Sequence, residues 1–481
     1  MKRLSTTRTP PIRLALNVGG PIDLATGVFV KGKYNEDILL GGISNLQGLM
    51  GDPNTMKTAI ALWMMGSAMN TIAYSYISEI LLYDSEGTLR HSRITSILER
   101  CEHLDRDDEG NIIMDFQNIS EIAPELWYDE TFAKYIKAKM ATKDMDVEIE
   151  FLKDPNTLKT LIMKLPTGMM IDTITYFNPS TSMDLVMGEI KGKGGSNDKS
   201  NNTLALQEGK YKVNMMATLT PALMRTNTYG MIVAHVGDVI DLNAGTYAPK
   251  ARQQIGTLAS NEKIKGVPNN YTRLLTGLWQ TTNSKPLVHQ DTKLAEFPKG
   301  NKLDSIKEEL LLITLKQHRS KDNVSRALEQ LIVSQVEGVL PHLSQFYAMK
   351  NNKQYGMVGN VQNYAMVLYP DVKLSRTKVR GLIDSDSKLR RAIELTADLM
   401  ILPKYHPQYE FMGLICTPEE LYKDIDDMGY CWDKILTLTR NWWTPKQYSS
   451  PLAYLHILNL LKIRKGLYEY KAVLKLISKD K

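Results

Sequence analysis

Short apolar runs that stop abruptly at a polar or charged residue recur along the first two thirds of this chain. Leu46, Leu49 and Met50 lead into a polar loop, after which residues 56–66 read as a helix. Residues 80–83 run into Asp84 and Glu86, residues 165–171 into Asp172, and residues 228–234 into His235. Apolar stretches of roughly four to eight residues bounded by turn residues read as buried strands. The pattern therefore predicts several strands, each delivering a polar group at one end. Residues 310–316 and 330–336 read as strands that close the core, residues 110–115 as a further strand, and residues 206–224 as a helix. The last third differs. Residues 387–400 and 451–470 carry helical spacing, and Thr417, Pro418 and Glu420 spell a capping box with proline at the first helical position. The chain thus divides into a leading arm over residues 1–34, an α/β body over 35–341 and a helical domain over 342–481.

Composition narrows the class without naming a chemistry. Among 481 residues, 43% are hydrophobic and 23% charged, which suits a globular protein. No apolar run approaches the roughly 18 residues that span a bilayer, and the first residues lack a signal-peptide core. Three cysteines, Cys101, Cys416 and Cys431, form no C-x-x-C pair, so a reducing cytoplasm is expected. The net charge of +6 suits a polyanion partner but does not demand one.

Candidate chemistry gathers at the strand tips. Gly51, Asp52, Pro53, Asn54, Thr55, Met56, Lys57 and Thr58 have the strand, loop and helix layout of a phosphate-binding loop. Such a loop needs a helix N-terminus facing the phosphates, one lysine and one hydroxyl for Mg²⁺. Lys57 and Thr58 fit those places, whereas Met56 stands where the usual pattern has its second glycine; the same residues also spell an ordinary surface turn. Glu86 is the candidate for orienting an attacking water, and Asp172 the acid that holds the Mg²⁺ water shell. His235 is a polar group at a further strand tip, or a satisfied core histidine. Lys191, Lys193 and Lys199 lie in a stretch rich in glycine and polar residues, and Lys250, Arg252, Lys263 and Lys265 in a long loop-rich segment over 236–268. Both stretches suit contact with a phosphate backbone. Lys373, Arg376, Lys378 and Arg380 form another basic group, which reads either as a nucleic-acid contact or as a solvated face. Trp442 and Trp443 read as core.

Taken in order, a phosphate loop, an acid pair, an aspartate and a polar group followed by a long loop resemble the RecA-type strand-exchange recombinases, with the T-even phage branch nearest. The likeness spans roughly residues 34–341. It implies an α/β fold with a RecA-like P-loop ATPase core, ATP and Mg²⁺ as cofactors, and filaments of many copies on single-stranded DNA. Those filaments would pair with duplex DNA, helped by a single-stranded-DNA-binding protein and a loading mediator, in a host cytoplasm or replication compartment. Glu86 is then the implied catalytic carboxylate and His235 the sensor of the γ-phosphate. The two basic stretches become DNA-binding loops, Lys316 and Arg319 reach a neighbour's ATP, and the arm packs on that neighbour. The chain departs from the family in a longer segment between Glu86 and Asp172, an enlarged final domain and a basic tail over 471–481. Two other readings stay open: a hexameric replicative helicase, and a non-catalytic DNA-binding protein on a decayed ATPase.

Overall fold

The computed structural model describes residues 13–72, 80–101, 108–109, 119–121, 146–153, 159–164, 166–176, 210, 212–217, 219–224, 226–238, 262–267, 271–300, 308–321, 327–360, 363–440, 452 and 455–479. Its strands, in chain order, are β1 (Val28–Lys31), β2 (Asp37–Leu40), β3 (Leu46–Gly51), β4 (Ile80–Asp84), β5 (Ile119–Glu121), β6 (Asp146–Lys153), β7 (Thr160–Lys164), β8 (Thr167–Asp172) and β9 (Thr228–Asp238). They continue with β10 (Glu262–Ile264), β11 (Gly277–Pro286), β12 (Leu310–Ser320), β13 (Leu328–Ser334), β14 (Gly338–Val339), β15 (Met357–Asn360), β16 (Asn363–Met366) and β17 (Tyr369–Leu374). The main sheet has the order β14-β13-β12-β11-β3-β9-β8-β4-β5, with β10 added to the far end of β9. Strands β11, β3, β9, β8, β4 and β5 run parallel to their neighbours in that stretch. Strands β3 and β8 are short and covered on both faces, all six positions of each being buried.

The RecA-like core expected from the sequence is not what forms. Such a P-loop sheet is parallel, whereas this one is mixed and curls strongly into a half-barrel. Strands β12, β13 and β14 run antiparallel to their neighbours, and β10 runs antiparallel to β9. The runs at 310–316 and 330–336 do become core strands, but alternation of side chains is the same in both directions. Direction comes from the connections: residues 321–327 are too short for the crossover that parallel neighbours need, so β12 and β13 pair as antiparallel neighbours.

The helix Lys57–Ile72 lies against β8, β9 and β14. Ala59, Ile60, Leu62, Trp63, Met64, Met65 and Met69 are all buried, so it is apolar nearly all round, as a helix enclosed by protein must be. Residues 212–217 and 219–224 are helical within the stretch read as helix, while the strand expected at 110–115 and the tryptophans Trp442 and Trp443 lie outside the described residues.

The final domain also differs from expectation, and the leading segment makes contacts within the chain. Residues 13–40 fold into their own chain. Leu16 bridges Ile43, and β1 and β2 form a hairpin whose Phe29 ring meets His406, Tyr409 and His456 at 4.9 to 5.5 Å. Asn459 Oδ1 accepts the Asp37 backbone N–H at 3.1 Å, and Tyr34 stacks on Tyr470. A segment too small for its own core is thus packed in part against the far end of the same chain. The final domain is not purely helical, because β15, β16 and β17 make a three-stranded antiparallel sheet beside the long helix Ser387–Tyr405. The capping box forms as spelled, with Thr417 and Glu420 each bonded to the other's backbone.

Candidate active site

Parallel strands bring their carboxyl ends to one rim, and in open α/β sheets that is where chemistry collects. On this rim Gly51 and His235 are register partners on β3 and β9, and Asp84 and Asp172 are partners on β4 and β8. Four of the sequence-selected residues therefore stand side by side, three at strand ends and His235 within β9, which runs on to Asp238.

The phosphate loop is built on close approach. A Cβ at Gly51 would lie 2.0 Å from Thr281 Oγ1, so only glycine lets β3 and β11 meet there. Thr55 Oγ1 sits 2.6 Å from Thr281 Oγ1 and 2.8 Å from the Asp52 carbonyl, which pins the loop to the sheet. Asn54 and Met56 have φ of 62° and 57°. The position where the usual pattern has glycine thus keeps glycine's left-handed conformation, at a local cost of about 1 kcal/mol or more. Met56 is half-buried and packs on the core under the helix, which is how the chain holds a long side chain there. Lys57 opens the helix and folds back, its Nζ donating to the Asp52 carbonyl at 2.6 Å. The lysine is 6% exposed. Burial lowers its pKa, while Asp172, Glu86 and Asp52 oppose that shift.

Asp84 and Glu86 separate cleanly into two roles. The Asp84 carboxylate accepts backbone N–H groups of Glu86, Gly87 and Leu89 at 3.0, 2.9 and 2.7 Å, so it is consumed in folding the turn. That turn leaves Glu86 projecting over the rim. His235 Nε2 lies 2.9 Å from Glu86 Oε1. A carboxylate only accepts, so Nε2 donates, and the other ring nitrogen, Nδ1, is buried without a hydrogen-bond partner.

Asp172 ends β8 and is 3% exposed. Burial pushes its pKa up to about 7, further raised by Glu86 and Asp84 and lowered by the Thr58 hydrogen bond and by Lys57. Its tip is fastened to β4, since Ser85 N–H donates to the Asp172 carbonyl at 2.7 Å and Ser85 Oγ bonds both ways with Thr173 at 2.8 Å. A hydroxyl hydrogen-bonded to a carboxylate is a hard oxygen donor set that fits Mg²⁺ sharing its shell with water and phosphate. Among the described residues no group of three or more His, Cys, Asp or Glu could hold a metal by itself. The close-packed Gly51 and the buried lysine likewise fit a triphosphate.

Other candidates lie apart. Lys316 is exposed on β12 opposite Gln280, and Arg319 Nε donates to the Leu275 carbonyl of its own chain at 3.1 Å. His318 is buried against Gln280. Lys263 and Lys265 are exposed in and after β10, whereas Lys191, Lys193, Lys199, Lys250 and Arg252 lie outside the described residues. The basic group at 373–380 is not one face: Arg380 is 2% exposed within a carboxylate cluster, and Arg376 donates to the Glu296 carbonyl at 3.1 Å. Sequence reasoning missed Thr281, because β11 was not recognised as a strand despite the β-branched and aromatic residues Trp279, Thr281 and Thr282. It also missed Thr175 and the buried Lys212.

No helix among the described residues is long and apolar enough to cross a membrane. No protein-family model matches the chain, and no curated protein is significantly similar to it.

Proposed function

We propose that this protein is a Mg²⁺-dependent ATPase acting on DNA, a recombinase that assembles on single-stranded DNA and exchanges it with a homologous duplex. The observation that carries the ATPase is the Glu86–His235 hydrogen bond standing on the same rim as Lys57, Thr58 and Asp172. Lys57 would neutralise the β- and γ-phosphates, and Thr58 and Asp172 would hold Mg²⁺, directly and through water. Bound Mg²⁺ supplies positive charge against the phosphate oxygens. Glu86 would then accept a proton from the attacking water, and His235 would donate to the terminal phosphate.

The DNA half of the reading is supported by the order of motifs along the sequence and by Lys263 and Lys265, exposed in and just after β10, the strand that pairs with the end of β9. Contacts of this kind go to the phosphate backbone, so binding should fall steeply with salt. The deciding experiment measures ATP hydrolysis with and without single-stranded DNA in the wild type and in Lys57→Ala. DNA-stimulated turnover that the variant loses supports the reading; equal, near-zero rates in both proteins overturn it. Joint-molecule formation with a homologous duplex then supports strand exchange, and ring-shaped assemblies that unwind a 5′-tailed duplex would make the protein a helicase instead.

A further inference from the structure

The two left-handed positions of the phosphate loop are both borne by residues other than glycine. Asn54 and Met56 take φ of 62° and 57°, while Thr55 between them stays out of that region. Alternation of this kind turns successive backbone N–H groups to one side and makes a concavity for an anion. Residues with a Cβ remain left-handed only where their surroundings hold them there. Met56 is held by the core on which its side chain packs. Thr55 is held by two oxygens: its hydroxyl donates to the Asp52 carbonyl at 2.8 Å, so a lone pair of that hydroxyl takes the O–H of Thr281 at 2.6 Å. The Asp52 carbonyl also receives Lys57 Nζ at 2.6 Å, which completes one chain of hydrogen bonds from Thr281 through Thr55 and Asp52 to the lysine. The far end of that chain is firm, because Thr281 is 1% exposed and in register with Gly51 on one side and Leu315 on the other. Gly51 leaves the room for both hydroxyls, since a Cβ there would lie 2.0 Å from Thr281 Oγ1 and 2.9 Å from Thr55 Oγ1.

Resting on the ATPase reading above, we propose that Thr281 is the positioning residue that pre-shapes the phosphate loop, doing for this chain what a glycine at the place of Met56 does by its own freedom. Glycine enters the left-handed region at no steric cost. With methionine there, the loop must be kept in its binding shape before the phosphates arrive, and the Thr281 hydroxyl, fixed in mid-sheet, does so through Thr55. Once that hydroxyl is gone, Thr55 keeps only its bond to Asp52, which moves with the loop itself. The strained residues on either side then relax toward negative φ, and the N–H groups diverge. A triphosphate has to reorder them as it binds, so the loss falls on affinity for the phosphate chain. The chemical step, carried by Glu86, Asp172 and His235 after the loop has closed on phosphate, changes little.

The test measures KM and kcat for Mg²⁺-ATP, and calorimetric binding of Mg²⁺-tripolyphosphate, in the wild type, in Thr281→Val, which keeps the shape and removes the donor, and in Thr281→Ser, which keeps the donor. Thr281→Val should raise KM and weaken tripolyphosphate binding about tenfold while kcat falls less than about threefold, and Thr281→Ser should restore both. In a Met56→Gly background, whose left-handed backbone needs no holding, the same Thr281→Val change should raise KM less than about threefold. Thr55→Ala cuts the chain from the loop side and should reproduce the KM effect, so the comparison survives a Thr281→Val protein that fails to fold. Amide hydrogen exchange without nucleotide supplies a further readout: the Thr55, Met56 and Lys57 amides should exchange faster in Thr281→Val than in the wild type, and those of β3 should not. An unchanged KM and tripolyphosphate affinity in Thr281→Val, a kcat that falls as far as KM rises, or an equal penalty in both backgrounds overturns the positioning role and spares the ATPase. A wild type that binds neither Mg²⁺-ATP nor Mg²⁺-tripolyphosphate brings down the ATPase reading, and this inference with it.

Discussion

Two clusters in this protein bury charge, and they do so to opposite effect. Between the sheet and the final domain, Arg380 donates to both oxygens of Glu309 at 2.7 Å and also to Glu337, which Lys299 and Arg100 approach from the other side. Burial alone would raise the Glu337 pKa, but the hydrogen bonds from Lys299 and Arg380 outweigh it and hold the carboxyl at about 2. At the sheet rim, burial dominates instead, and Asp172 is pushed up to about 7 with only Thr58 and Lys57 against it. A closed cluster is scaffold: every charge has its counter-charge within the chain. An open cluster holds groups whose charged forms are disfavoured until something with the complementary charge arrives, which is the state expected of a site that takes a Mg²⁺–triphosphate.

The sharpest way to break this contrast is to remove one cation from each cluster. Lys57→Ala should lower ATP turnover by about a thousandfold, or ~4 kcal/mol of transition-state stabilisation, while leaving the urea midpoint near that of wild type. Arg380→Ala should do the reverse, costing about 3 kcal/mol of stability in urea titrations because it strands the Glu309 carboxylate and leaves the buried Glu337 only Lys299 and Arg100. An Arg380→Ala protein as stable as wild type would mean that the cluster is not closed in the sense argued here.

Acid titration sharpens the comparison further, because the two carboxyls should have opposite slopes. The folded Asp172 pKa lies above its unfolded value of 3.8, so the folded state holds the extra proton and stability falls as pH rises from about 4 to about 7. Asp172→Asn should therefore match wild type in urea near pH 4 and exceed it by on the order of 4 kcal/mol at pH 8, while losing ATP turnover. Glu337 is depressed from 4.5 to about 2, so its contribution is present above the unfolded value and lost as pH falls through the folded one. The gap between wild type and Glu337→Gln should accordingly narrow on acidification. Equal slopes for the two variants would erase the distinction between the clusters.

The smallest expected effect is a control far from both. Thr417→Ala removes the N-cap of the helix Pro418–Asp427 and should cost about 1 kcal/mol in thermal melts without altering turnover or its DNA dependence.

What could be read from the sequence was whatever depends on near neighbours along the chain. The loop around Lys57, the strands ending at Asp84 and Asp172, the strand carrying His235, the runs that became β12 and β13, and the Thr417 cap are all local patterns of apolar spacing and turn chemistry. Tertiary structure alone decided the rest. Strand direction, and with it the mixed half-barrel, depends on which segments pair. That Asp84 builds a turn while Glu86 faces the rim depends on three backbone N–H groups, and that Arg380 is scaffold depends on Glu309 and Glu337, both distant in sequence. Thr281 matters only because β3 and the loop after it are folded against it. Hydrophobic periodicity reports that a residue is buried; the identity of the group it is buried against is a property of contacts that no local pattern encodes.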